Sequence, residues 1–180
     1  MPFRLVGTAF TVATFPGLVV AAAIQDAVAD LAGVPTSVVG DGVDAYEAEY
    51  DAVGSAGAAL LVTFLPSVIC TLVAAALIAV AVVGVPFWTL PWWMCSWFGL
   101  AVAAHSFPDP DAALSLVGAS SRLQGPARRV GSALGTGARL TAVLSLFRAD
   151  LLYAALLYYI VASVLLPGSP RFGVPVPPFG

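Results

Sequence analysis

Imidazoles, thiols and carboxylates are the side chains from which metal sites and acid–base pairs are built, and this chain has few of them. It has a single histidine, His105, followed by Ser106-Phe107-Pro108-Asp109-Pro110-Asp111. Its two cysteines, Cys70 and Cys95, sit inside apolar runs, so no disulfide framework is indicated. A catalytic zinc wants three protein ligands. His105 with Asp111 and water makes a weak set, so no metal site is expected. His105 is also the only imidazole base, and the sequence places no carboxylate to orient it in a serine triad. Asp109 has a structural role open to it, as N-cap with Pro110 at the first position of a helix over 111–123. The acids Asp41, Asp44, Glu47, Glu49 and Asp51 lack the ligand spacing of an EF-hand loop. The run Gly131-Ser132-Ala133-Leu134-Gly135-Thr136-Gly137 lacks the Lys-Ser/Thr ending of a phosphate cradle, and it suits close helix packing instead.

The elements that must position these residues lie in lipid. Hydrophobic residues make up 60% of the chain and charged residues 9%. Soluble domains run near ~45–50% and ~25%. With a mean hydropathy of +0.97, the composition excludes a disordered chain, a nucleic-acid binder and an ordinary cytosolic enzyme. All seven basic residues are arginine, which fits a GC-rich genome and points to the plasma membrane of a prokaryote.

A membrane-spanning helix needs ~20 apolar residues. Four spans are expected, at about 5–24, 58–83, 87–104 and 148–166, in an all-α bundle. Gly84-Val85-Pro86 forms the turn between the second and third spans, and Trp88, Trp92, Trp93 and Trp97 form an interfacial belt. The apolar run before Ala27-Val28-Ala29 is long for a signal peptide and carries Pro16-Gly17 at its middle, so it reads as a span. The stretch 33–51 reads as an acidic loop. The stretch 105–147 reads as a short helix, a Gly-rich hinge and a basic, surface-lying helix. The Pro-rich stretch 167–180 reads as a loose tail. Five arginines (Arg122, Arg128, Arg129, Arg139, Arg148) stand against Arg4 and Arg171, which places both long loops in the cytoplasm. Arg128 and Arg129 suit a helix lying on anionic lipid.

Four segments, in order, resemble a family of membrane-embedded zinc metalloproteases related to the site-2 proteases. They are Phe15 to Gln25 with Asp30-Leu31-Ala32-Gly33-Val34-Pro35; Leu65-Pro66-Ser67-Val68-Ile69-Cys70; Ala104-His105-Ser106-Phe107-Pro108-Asp109-Pro110-Asp111; and Asp150-Leu151-Leu152-Tyr153. The resemblance implies HExxH at the end of the first span, where two histidines bind zinc and the glutamate polarises water. The corresponding positions here are Ala21, Ala22 and Gln25, so both imidazoles and the general base are replaced. Cys70 stands where the family has Asn, and His105 and Asp111 remain as relic or binding residues.

The expectation is therefore a zincin-like pseudoenzyme, a multi-pass protein that binds a membrane peptide or membrane protein without catalysis. Two alternatives stand beside it: an active metallopeptidase with an atypical site, and a scaffold or transporter accessory unrelated to proteases. No cofactor is expected, and zinc only if the resemblance outweighs the lost ligands. Membrane lipids are expected partners and nucleic acid is not.

Overall fold

The computed structural model describes residues 2–38, 46–50, 53–145 and 149–166. The tail at 167–180, together with Asp41, Asp44, Asp51 and Arg148, lies outside the described residues. The fold is helical: α1 (Pro2–Leu31), α2 (Ala56–Ala79), α3 (Leu90–Ala104), α4 (Pro110–Ser121), α5 (Gly125–Ser145) and α6 (Ala149–Leu165). A π-helical turn, Val80–Gly84, prolongs α2.

Among the described residues two stretches, Thr11–Leu31 and Ala56–Gly84, are long and apolar enough to cross a membrane. The expected third and fourth spans form apolar helices of 15 and 17 residues. At 1.5 Å per residue these reach roughly 22–26 Å, short of a ~30 Å hydrocarbon core. The expected first span, 5–24, lies within α1. Pro16 stays within α1, and the helix continues past Asp26 and Asp30 to a stop at Gly33. Gly33 takes φ +69°, the left-handed conformation that glycine adopts without a β-carbon clash. The Val34 N–H then donates to the Ala29 carbonyl (2.9 Å), closing a Schellman motif with Val34 buried behind it.

The acidic stretch 33–51 is more than a loop. It contains a short antiparallel ribbon, β1 (Thr36–Val38) against β2 (Tyr46–Ala48), with Thr36 opposite Ala48. The Gly-rich segment is no hinge either. Gly131 and Gly135 lie inside α5, one helical turn apart, and press against α4. A β-carbon at Gly131 would sit 2.7 Å from the Ser120 β-carbon, and one at Gly135 would sit 2.7 Å from Val117 Cγ2. Missing side chains let the two helices close together, so the glycines act through contact rather than flexibility. The break between α4 and α5 falls earlier, at Gly125, where φ is +64°. The start of α4 matches its sequence signal. Asp109 Oδ1 accepts from the N–H groups of Asp111 (2.7 Å) and Ala112 (3.2 Å), with Pro110 opening the helix.

The interior is built from small side chains. One cluster joins Val28, Ala29, Ala59, Val62, Ala112 and Leu116. The other joins Ala21, Cys70, Ala74, Ala103, Ala104 and Ala154. Large apolar side chains point outward instead, among them Leu72 (63% exposed), Leu152 (72%) and Val164 (70%). Burying a leucine stabilises a water-soluble protein by roughly 1.5–3 kcal/mol, so leaving so many outside wastes that term in water. In lipid nothing is lost, and close backbone packing through alanine and glycine supplies the contact energy.

Candidate functional site

The α2–α3 hairpin turns at 85–89, so the end of α1, the start of α2, the end of α3 and the start of α6 gather at the opposite end of the bundle. That end holds the polar chemistry. His105 caps α3, half-buried, and its Nε2 lies 3.0 Å from Thr14 Oγ1 of α1. The hydroxyl donates or accepts according to the ring tautomer. Asp150, on the first turn of α6, is 7% exposed, and its Oδ1 accepts from the Leu151 N–H at 3.0 Å. Burial pushes the His105 pKa below its ordinary value, and the Asp150 charge opposes that shift. Three elements thus bring a hydroxyl, an imidazole and a carboxylate to one place.

Ala21 is buried beside Cys70, Ala74 and the last turn of α3. Ala22 and Gln25 are half-buried, and the Gln25 side chain makes no hydrogen bond among the described residues. Cys70 is almost wholly enclosed. Asp111 is exposed on the first turn of α4. The carboxylate whose charge bears on His105 is Asp150, not Asp111.

The donor set does not suit the zinc that the resemblance implies. A methyl and an amide stand at the two histidine positions, and neither replaces an imidazole. Among the described residues no three His, Cys, Asp or Glu side chains converge on one point. Thr14 gives no signal in the sequence, being one hydroxyl in an apolar run. The pairing of Asp150 with His105 is equally invisible, because 45 positions of chain separate them and only the return of α6 beside α3 closes the gap.

A groove of about 490 Å³ opens next to this cluster, between α2, α5 and α6. Phe64, Val68, Leu72, Phe107, Leu134 and Tyr153 form its walls. Ser106-Phe107-Pro108, directly after His105, supplies one side. Polar groups are sparse. Thr71 Oγ1 and Tyr153 Oη bond to each other at 2.7 Å, and the Phe107 and Tyr153 rings lie 5.5 Å apart. Ser67 also lines the groove, and its buried hydroxyl has no hydrogen-bond partner among the described residues. An unmet buried hydroxyl costs ~1–3 kcal/mol, so a ligand group that reached Ser67 would gain a bond already desolvated. By contrast, the arginine-bearing flank of α5 is lined by α5 alone and is an open face, not a cavity.

No family model matches the chain, and no curated protein or solved structure shows significant similarity to it.

Proposed function

We propose that the chain is a four-span integral membrane protein that holds an apolar segment of a membrane peptide or membrane protein in the groove beside His105, without zinc-dependent catalysis. The observation that carries this reading is the inverted distribution of side chains, alanine inside with most leucines and tryptophans outside, beside an apolar groove whose Ser67 hydroxyl has no partner among the described residues. The short helices α3 and α6 fit a bilayer that thins locally or is met by flanking aromatic residues, at fractions of a kcal/mol per Å. Trp88 and Trp93, exposed at the start of α3, are suited to that anchoring. The resemblance to membrane zinc proteases agrees with a groove shaped for a polypeptide, and the absent ligands argue for binding alone.

Site-specific photo-crosslinking in the native membrane tests the reading. A photoreactive side chain at Leu72 or Leu134, in the groove, should give an adduct with a polypeptide of discrete mass. The same probe at Leu156, exposed on α6 outside the groove, should give lipid adducts only. Identical lipid-only labelling at all three positions sinks the proposal.

A further inference from the structure

The α5 face carries a second binding surface. Of the helices, α5 is the most strongly amphipathic. Its Gly131 and Gly135 are buried against α4. Next to that seam, Val130 (58% exposed) and Leu134 (42%) sit one turn apart. On the other flank Arg128 and Arg139 are exposed, with Arg129 and Leu140 between the two flanks. Among the described residues no carboxylate pairs with these arginines. The position of α5 along the bundle matters as much as its charge. Its second half meets α2 between Phe64 and Leu72. Phe64 lies twenty residues before Gly84, where the tryptophan end of the hairpin begins. The contact runs on to Leu72, twelve residues before Gly84, so the second half of α5 lies along the part of α2 away from the tryptophans.

We propose that α5 rests on an anionic leaflet, with Val130 and Leu134 seated among acyl chains and Arg128, Arg129 and Arg139 against lipid phosphates. A lipid surface fits better than an acidic protein, because exposed apolar side chains, Val130, Leu134 and Leu140, share the open surface of α5 with the three exposed arginines. The proposal rests on the membrane reading above but not on the groove's occupant. It adds a requirement for lipid charge at the mouth of the groove, since Leu134 lines both surfaces.

The test uses the full chain in phosphatidylcholine vesicles with and without one-third phosphatidylglycerol. The readout is the depth of a nitroxide on Val130→Cys, with Cys95→Ser to remove the more accessible native thiol. Each arginine near an anionic surface is worth about 1 kcal/mol, or roughly fivefold. In phosphatidylglycerol vesicles the label should be oxygen-accessible and shielded from a soluble nickel reagent. Arg128→Gln/Arg129→Gln should weaken that seating by about 25-fold, and Arg128→Lys/Arg129→Lys should restore it. Equal nickel access in both vesicle types, with the chain inserted, overturns the proposal; so does equal shielding in both, which leaves no role for the arginines. A chain that fails to float with any vesicle refutes the membrane reading instead.

Discussion

The two ends of the bundle solve the same problem with different chemistry. At the end where α2 turns into α3, Phe87, Trp88, Trp92 and Trp93 stack edge to face with centroids 4.8–5.5 Å apart in the Phe87–Trp92, Trp88–Trp93, Trp92–Trp93 and Phe87–Trp88 pairs. The turn there is tied by one hydroxyl, Thr89 Oγ1 to the Pro86 carbonyl at 2.6 Å. At the other end stand Asp26, Asp30, Asp109, Asp150, His105 and the arginines of α5, with helix ends closed by caps: Ser55 on Ala58, Asp109 on Asp111, and Gly33 after α1. Amphipathic rings suit an interface that a helix hairpin only touches. Charges and caps suit an end where the chain leaves the bundle and comes back twice, between α1 and α2 and between α3 and α6. The asymmetry places the groove and the His105 cluster at the end that has polar groups to offer.

The strongest way to break this comparison is to restore polar chemistry in the alanine-lined wall between the two ends. Ala21→His/Ala22→Glu/Gln25→His rebuilds the HExxH spacing. Ala21 is buried in one cluster with Cys70, Ala74 and Ala154, so an imidazole there overpacks the core at roughly 1–3 kcal/mol, with buried polar groups adding to it. The variant should lose well over 10 °C of thermal stability in detergent and bind no zinc by metal analysis. A stable variant with stoichiometric zinc would show room for a site that the packing does not display.

Legibility followed the same division. Hydropathy alone located α2 and the turn after Gly84, because an uninterrupted apolar run has only one good use. Asp109-Pro110 announced α4, since an N-cap followed by proline is a local signal. The Gly131–Gly137 run was legible as close packing, and Ser120 and Val117 are the neighbours it meets, but the hinge expected in the same stretch falls earlier, at Gly125, because glycine permits both bending and close packing. The end of α1 was less legible, because Asp26 and Asp30 mark where an apolar run stops but not where a helix stops, and α1 runs on to Leu31. The His105, Thr14 and Asp150 cluster was partly visible. His105 stood out as a singular residue, while its partners depend on tertiary contact.

The tryptophan end offers a smaller and cleaner perturbation. Trp88 has φ 61°, a left-handed conformation that costs a residue with a β-carbon roughly 1–2 kcal/mol. Trp88→Ala and Trp88→Gly both remove the ring contacts with Phe87, Trp92 and Trp93. They differ in backbone strain alone. Trp88→Gly should therefore be about 1 kcal/mol more stable than Trp88→Ala in chemical denaturation. At a right-handed or extended position the order would reverse.

The smallest expected effect belongs to His105, and it sharpens the view of the charged end. Burial disfavours the protonated ring, so its pKa in the fold lies below the ordinary 6.5, and Asp150 holds it from falling further. Below pH 6.5 the unfolded chain then binds more protons than the folded one, and stability rises with pH until that difference closes. The gain is complete above 6.5 and is lost as pH falls from there through the folded-state pKa. Half of the ring's surroundings remain open, so screening keeps the effect small. Melting temperature in detergent should climb between pH ~5.5 and ~7, a window above most carboxylate titrations. His105→Gln removes the titration while leaving an amide to bond Thr14, and it should flatten the climb. Asp150→Asn removes the charge that favours the imidazolium, so its climb should begin at lower pH and be larger than the wild type's. If Asp150→Asn instead matches His105→Gln, the carboxylate does not face the ring, and the polar cluster at this end reduces to the His105–Thr14 hydrogen bond.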